Sequence, residues 1–204
     1  MSVPKYRLDA IETIGRKILQ EYDPALLDGP PQAVPIETII ETKFDLTLEY
    51  HCLRKNGSIL GETIFDEGPA ILYDQDEKRY RLIAVKAGTI LVEERLCVDR
   101  LLGRLRFTCA HELGHWVLHQ KLYSGTGDVA AYEGKTSLDE SYGLVEWQAD
   151  ALATALLMPL PQIKRSFYRL RAGRSHEHLV AEMARTFQVS KQAMRIRLET
   201  RNLI

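Results

Sequence analysis

The residues best equipped for chemistry lie in Thr108-Cys109-Ala110-His111-Glu112-Leu113-Gly114-His115-Trp116-Val117-Leu118-His119, a His-Glu-x-x-His motif inside an apolar run. Side chains four apart share one face of an α-helix, so His111 and His115 can present two imidazole nitrogens to a single ion. Glu112 points nearly the same way and stands where a general base for hydrolysis has to be. This spacing fits metal-assisted hydrolysis, with zinc as the ion and manganese as the alternative metal. The competing reading is a surface stripe of two histidines that holds no metal.

A hydrolytic zinc site takes three protein ligands and keeps a further position open, so a third ligand must come from elsewhere. The stretch from Leu144 to Pro159 reads as one helix with Glu146 and Asp150 four apart on one face. In the spacing Glu-x-x-x-Asp, Glu146 binds the metal and Asp150 accepts the N–H of a ligating histidine, fixing its tautomer. The alternative is an exposed acidic pair on an amphipathic helix. His119 is a rival ligand, but it lies a full turn of about 5.4 Å beyond His115 along the axis. No helix-breaking glycine follows His115 to bring His119 back, so His119 reads as a packing histidine or one that supports a ligand. Candidate donors to a developing oxyanion are Tyr142, Tyr132, His176 and His178.

The elements that must position these groups follow from the hydrophobic period. Residues 9–22 carry a helical stripe of Ile11, Ile14, Ile18 and Leu19 that stops at Asp23-Pro24; residues 27–31 read as a linker, and Pro35 opens a short helix over 36–43. From Asp45 to Val98 the period falls to two. Strands are expected at 46–50, 59–65, 70–73, 80–84 and 89–92, separated by turn residues, giving a small, mostly antiparallel sheet. Its edge strand, if it borders the metal cleft, could hold an extended peptide by backbone pairing. Asp99 is a plausible N-cap for the histidine-bearing helix, with Gly103 leaving room for a break. The glycine-bearing segment between Tyr123 and Gly143 joins the two proposed metal helices and reads as a loop near the cleft mouth. Further helices are expected at 161–172, at 176–187 and from Ser190, as the second helix's cap, to about Asn202. The fold class expected is α+β: residues 1–159 as a zincin-like unit, and 160–204 as a helix-turn-helix-like segment packed on it.

Charge is balanced overall, 27 basic against 28 acidic residues, so no global field points to nucleic acid. From Leu160 onward, however, ten basic residues face three acidic ones, a net of +7 that leaves −8 for the rest. That segment could touch DNA, an acidic partner or only water; solvated arginines are the commoner outcome, so DNA contact is not the favoured reading. Three cysteines, Cys52, Cys97 and Cys109, lack any paired spacing, which implies neither a disulfide framework nor a cysteine metal knuckle. No basic apolar leader opens the sequence and no apolar run approaches about 18 residues, so a cytoplasmic protein is expected.

With these residues assembled, the sequence resembles the ImmA/IrrE family of bacterial and phage metallo-endopeptidases. The shared features are Arg106-Phe107-Thr108-x-Ala110-His111-Glu112-Leu113-Gly114-His115 with Leu118-His119 beyond it, Glu146-x-x-Ala149-Asp150-x-x-Ala153, Leu156-Leu157-Met158-Pro159, and the pair Val189-Ser190-x-x-Ala193 ending in Arg197-Leu198. The resemblance runs from about Arg104 onward, and over the sheet region only in the order of elements. It implies a zinc endopeptidase with gluzincin-like ligation that cleaves a helix-turn-helix transcriptional repressor, relieving repression in a stress response or in phage or mobile-element control. The family usually has Asn where this sequence has Asp150, which changes the charge behind the ligand more than the ligation. In the competing class, a non-catalytic DNA- or repressor-binding regulator, a toxin–antitoxin or phage-control partner, keeps a vestigial zincin core. Glu112 has no ligand role, so its presence favours catalysis.

Overall fold

The computed structural model describes residues 3–125 and 140–204, and the fold is α+β. Helix α1 (Leu8–Tyr22) buries Ile11, Ile18 and Leu19 along the expected stripe. A single-turn helix, α2 (Ala25–Asp28), runs into the start of the stretch read as a linker. The Asp23 carboxylate accepts the Ala25 N–H at 2.9 Å, and the Gly29 N–H closes the turn on the Ala25 carbonyl, a local device too short for a periodicity to reveal. After Pro35 comes α3 (Ile36–Lys43), with Ile36, Ile39 and Ile40 fully buried.

Five strands follow: β1 (Thr47–His51), β2 (Gly61–Ile64), β3 (Gly68–Asp74), β4 (Arg79–Val85) and β5 (Thr89–Glu93). They form two sheets, a three-stranded one in the order β1-β5-β2 and an antiparallel β3-β4 hairpin. β2 runs antiparallel to β5 as expected, but β1 runs parallel to it, Thr47 opposite Thr89 and His51 opposite Glu93. A parallel neighbour needs a long return connection, and residues 52–88 supply one. β5 is buried along its whole length because its two faces serve two cores. Ile90 and Val92 join the main cluster with the helices, while Leu91 joins Leu53, Ile64, Ala70, Leu72 and Val85 beneath the hairpin.

The chain leaves β5 through two 3-10 turns, Glu94–Leu96 and Asp99–Leu101, and enters α4 (Leu102–Tyr123). Asp99 therefore opens the second turn and does not cap α4, whose first turn has no side-chain cap. Gly103 does not break the helix either. A Cβ there would come within 2.8 Å of the Ser190 backbone nitrogen, so the glycine admits a close approach by the C-terminal helices.

α5 (Glu140–Leu157) lies against α4; α6 (Leu160–Leu170), α7 (His176–Phe187) and α8 (Lys191–Thr200) complete the chain. Between α7 and α8, Gln188 takes a left-handed conformation, and the Ser190 hydroxyl accepts the Ala193 N–H at 3.0 Å as the expected cap. α8 is fastened inward by Arg197, which donates to the Met158 carbonyl and to the Glu12 carboxylate of α1. One buried apolar cluster extends from Ile11 through Leu113 and Leu152 to Phe187 and Leu198. Among the described residues, no helix is long and apolar enough to cross a membrane.

Candidate metal centre

α4 sits between the β2 edge of the sheet and α5, so it is buried nearly all round: Cys109, Ala110 and Leu113 are fully enclosed. Its approach to α5 is set by small residues. A Cβ on Gly114 would lie 3.0 Å from the Ala149 Cα and carbonyl oxygen, so Gly114 and Ala149 let the two backbones nearly touch. At that separation the polar faces of the two helices meet around one point.

The His111 and His115 Nε2 atoms stand 2.9 Å apart. The Glu146 carboxylate spans them, with Oε2 3.3 Å from His111 Nε2 and Oε1 3.4 Å from His115 Nε2. Ligands placed tetrahedrally about 2.0–2.1 Å from zinc are separated by about 3.3 Å, so the three groups fit one such ion. Their chemistry points the same way. Asp150 Oδ1 lies 2.8 Å from His111 Nδ1, so that nitrogen donates its proton outward and the opposite lone pair turns toward Glu146 and His115. Two inward lone pairs and a carboxylate within this radius repel unless positive charge, a proton or a metal ion, lies between them. Burial alone would lower the pKa of His111; hydrogen bonds to Asp150 and Glu146 reverse that and hold it at about 10, the response of a site built for positive charge. His115, buried and beside two other imidazoles, is pushed well below the ordinary histidine range.

Glu112 is buried beside this cluster and accepts a hydrogen bond from the Thr63 hydroxyl of β2 at 2.7 Å. The same hydroxyl is 3.0 Å from the Glu112 carbonyl, which ties the edge strand to the helix at this residue. Gly61, two residues back on β2, has no side chain where a Cβ would collide with Glu112 Oε1 at 2.5 Å. Burial raises the Glu112 pKa to about 7, against the opposing pull of His111 and Thr63, which puts its proton affinity in the range a general base near neutrality requires. A cleft of about 690 Å³ opens over these groups, lined among others by Gly61, Thr63, Phe107, His111, Glu112 and Glu146.

Of the groups named from sequence, His111, Glu112, His115, Glu146 and Asp150 thus converge. His119 is fully buried below them, its Nδ1 3.2 Å from His115 Nδ1. Tyr142 lines the cleft, whereas His176 and His178 on α7 do not. Tyr132 and most of the segment between Tyr123 and Gly143 lie outside the described residues. Sequence reasoning missed Thr63 and Gln148. Thr63 carries no signal, being 49 positions from Glu112. Gln148 carried a faint one, a polar residue on the apolar side of a helix, and it proves fully buried, 2.9 Å from His119 Nε2.

An α+β fold with a His-His-Glu cluster in a buried cleft defines a protein with a candidate metal centre. The chain belongs to the peptidase M78 family: the family model described as the IrrE N-terminal-like domain matches residues 74–199. Membership implies a metallopeptidase fold and with it a metal ion. Among solved structures, a Mycobacterium tuberculosis transcriptional regulator shares the fold, with a TM-score of 0.53 at 15% identity; the match covers 95% of this chain and 47% of that one. This chain therefore spans about half the length of that regulator. No curated protein matches the sequence.

Proposed function

We propose that this chain is a zinc-dependent endopeptidase that cuts a helix-turn-helix transcriptional repressor and so relieves repression. The observation that carries the reading is the convergence of His111, His115 and Glu146, at ligand-to-ligand spacing, beside a buried Glu112 in an open cleft. Family membership and the fold shared with a transcriptional regulator support a peptidase acting in gene control. The reading includes a division into a zincin-like unit (1–159) and a helical segment (160–204), a cytoplasmic setting, and protein rather than DNA as the partner.

In this reading His111, His115 and Glu146 hold the ion, which when bound supplies Lewis acidity to polarise a carbonyl and acidify water. Glu112 takes the proton from the attacking water and delivers it to the leaving amine. Thr63 keeps the Glu112 carboxylate turned into the cleft, and Asp150 keeps His111 in the tautomer that ligation needs. The cleft walls from β2 and Phe107 border the reacting groups.

The test pairs metal analysis with cleavage. Purified protein should contain close to one equivalent of zinc and cut a co-expressed helix-turn-helix repressor, and chelation should stop it. Glu112→Gln should retain the metal and lose cleavage by about 10³-fold or more. If Glu112→Gln cuts as fast as the parent protein, the catalytic assignment is wrong. Metal without cleavage of any repressor would favour the non-catalytic regulator.

A further inference from the structure

Behind His115 the structure carries an ordered run of polar groups that the proposed mechanism does not use. Gln148 Nε2 lies 2.6 Å from the Pro4 carbonyl oxygen, Gln148 Oε1 lies 2.9 Å from His119 Nε2, and His119 Nδ1 lies 3.2 Å from His115 Nδ1. His119 and Gln148 are fully enclosed and His115 is 5% exposed.

The direction of every bond in this run follows from its far end. A carbonyl oxygen only accepts, so the Gln148 amide must turn its NH₂ toward Pro4 and its oxygen toward His119. That oxygen also only accepts, so His119 Nε2 carries the proton. With Nε2 carrying its proton toward Gln148, the other nitrogen of His119 faces His115 Nδ1 across 3.2 Å, a gap that holds a single proton. Two bare nitrogens at 3.2 Å would repel, so the proton between them belongs to His115 Nδ1. His115 Nε2 is then left with its lone pair facing Glu146 and His111.

We infer that Gln148 and His119 are positioning residues for the metal centre, forming a neutral relay from the Pro4 carbonyl that fixes His115 in the tautomer able to ligate. The inference rests on the reading of His111, His115 and Glu146 as metal ligands. The two ligating imidazoles are thus supported differently. His111 leans on the charged carboxylate of Asp150, His115 on a chain of neutral groups. Glu146 and Asp150 already bring negative charge to the cluster, and a neutral support behind His115 adds no more. The same chain explains why a glutamine and a histidine stand fully buried among apolar side chains: each has both of its polar ends engaged.

Two measurements test the relay. In the metal-free protein, long-range ¹⁵N–¹H correlation spectra should show His115 with a protonated Nδ1 and a bare Nε2, and His119 with the reverse pattern. Zinc competition against a chromogenic chelator should then separate two substitutions of one residue. His119→Asn places its amide near the former Nδ1 and can still accept from His115, so affinity should stay within about 3-fold of the parent. His119→Gln places its amide near the former Nε2 and loses that acceptor, and with Gln148→Leu it should weaken zinc about 10- to 100-fold. Cobalt-substituted protein should show altered visible bands for His119→Gln and nearly parental bands for His119→Asn. A His115 ring protonated on Nε2 in the parent protein, or equal zinc affinity for His119→Gln and the parent, would overturn the relay. Loss of zinc in Glu146→Ala alongside unchanged binding in His119→Gln would defeat the relay alone. Unchanged zinc binding in Glu146→Ala and in a doubly substituted His111→Ala, His115→Ala protein would defeat the metal-site reading, while the tautomer pattern would still be read from the spectra.

Discussion

At the scale of single residues, the site is a set of polar groups whose orientations are imposed by neighbours. Of His111, His115 and Glu146, the three groups at ligand-to-ligand spacing, Glu146 brings the carboxylate, so removing its charge should weaken the metal most directly. Glu146→Gln is expected to lower zinc affinity by at least about 100-fold, measured by chelator competition. Thr63 is a different case, since its hydroxyl bonds to Glu112. Thr63→Val should leave zinc content unchanged and lower kcat by about 10-fold, because the carboxylate keeps its environment but loses its tether. The histidine pair with Glu112, and Glu146 with Asp150, were legible in the sequence as two local helical spacings, one on each helix. Thr63 and Pro4 were not, because only tertiary packing brings strand β2 and the N-terminal segment to the helix pair.

Two glycines decide at the scale of elements how close the helices and the sheet come to one another. Gly114 faces the Ala149 backbone on α5, which cannot retreat without parting the helices. Gly114→Val should cost roughly 3 kcal/mol by overpacking, seen in chemical denaturation, and should loosen zinc because the His pair and Glu146 sit on opposite sides of the widened gap. Gly61→Ala would press on the Glu112 Oε1 and Cγ and on the buried Thr108 Cγ2, all within 2.8 Å of the new Cβ, so it should displace the Glu112 side chain and lower both kcat and the melting temperature. Element positions were mostly readable from hydrophobic period and capping residues: β1 to β5, α1, α3 and the last three helices fall close to their expected places. The parallel pairing of β1 with β5 was not, since a strand's own alternation does not encode the direction of its neighbour. The expected Asp99 cap failed because Asp99 opens a 3-10 turn of its own, Asp99–Leu101, before α4 begins.

The whole molecule is closed by Glu12, which joins the first helix to the last through Arg197 and Arg201. Arg197 is only 2% exposed at its side chain, so Glu12→Gln would strand a buried guanidinium. A loss of about 3 kcal/mol is expected, or roughly 10 °C in melting temperature. Burial alone would raise the Glu12 pKa, but Arg197 and Arg201 outweigh it and hold it below the ordinary 4.5. Folding thus favours the ionised form. The stabilisation is present above about pH 4.5 and is lost as the pH falls through the lowered folded value. Between about pH 7 and about pH 3, the parent protein should therefore lose more melting temperature than Glu12→Gln does. The basic excess of the C-terminal segment also looks different in three dimensions. Arg197 and Arg201 are committed to Glu12, Arg174 to Glu182, and Arg165 to the Asp28 carbonyl. A count of charges along the sequence cannot distinguish such internal ties from a surface offered to a phosphate backbone.

The three groups that fit an ion come from two helices, His111 and His115 from one and Glu146 from the other. An ion gripping all three would act as a crosslink present only in the native state, so unfolding would have to release it. By mass action, each tenfold rise in free zinc above its dissociation constant would then add about 1.4 kcal/mol to the unfolding free energy. The melting temperature of this chain would become a gauge of zinc availability, climbing as the ion is titrated in and falling back when a chelator draws it away.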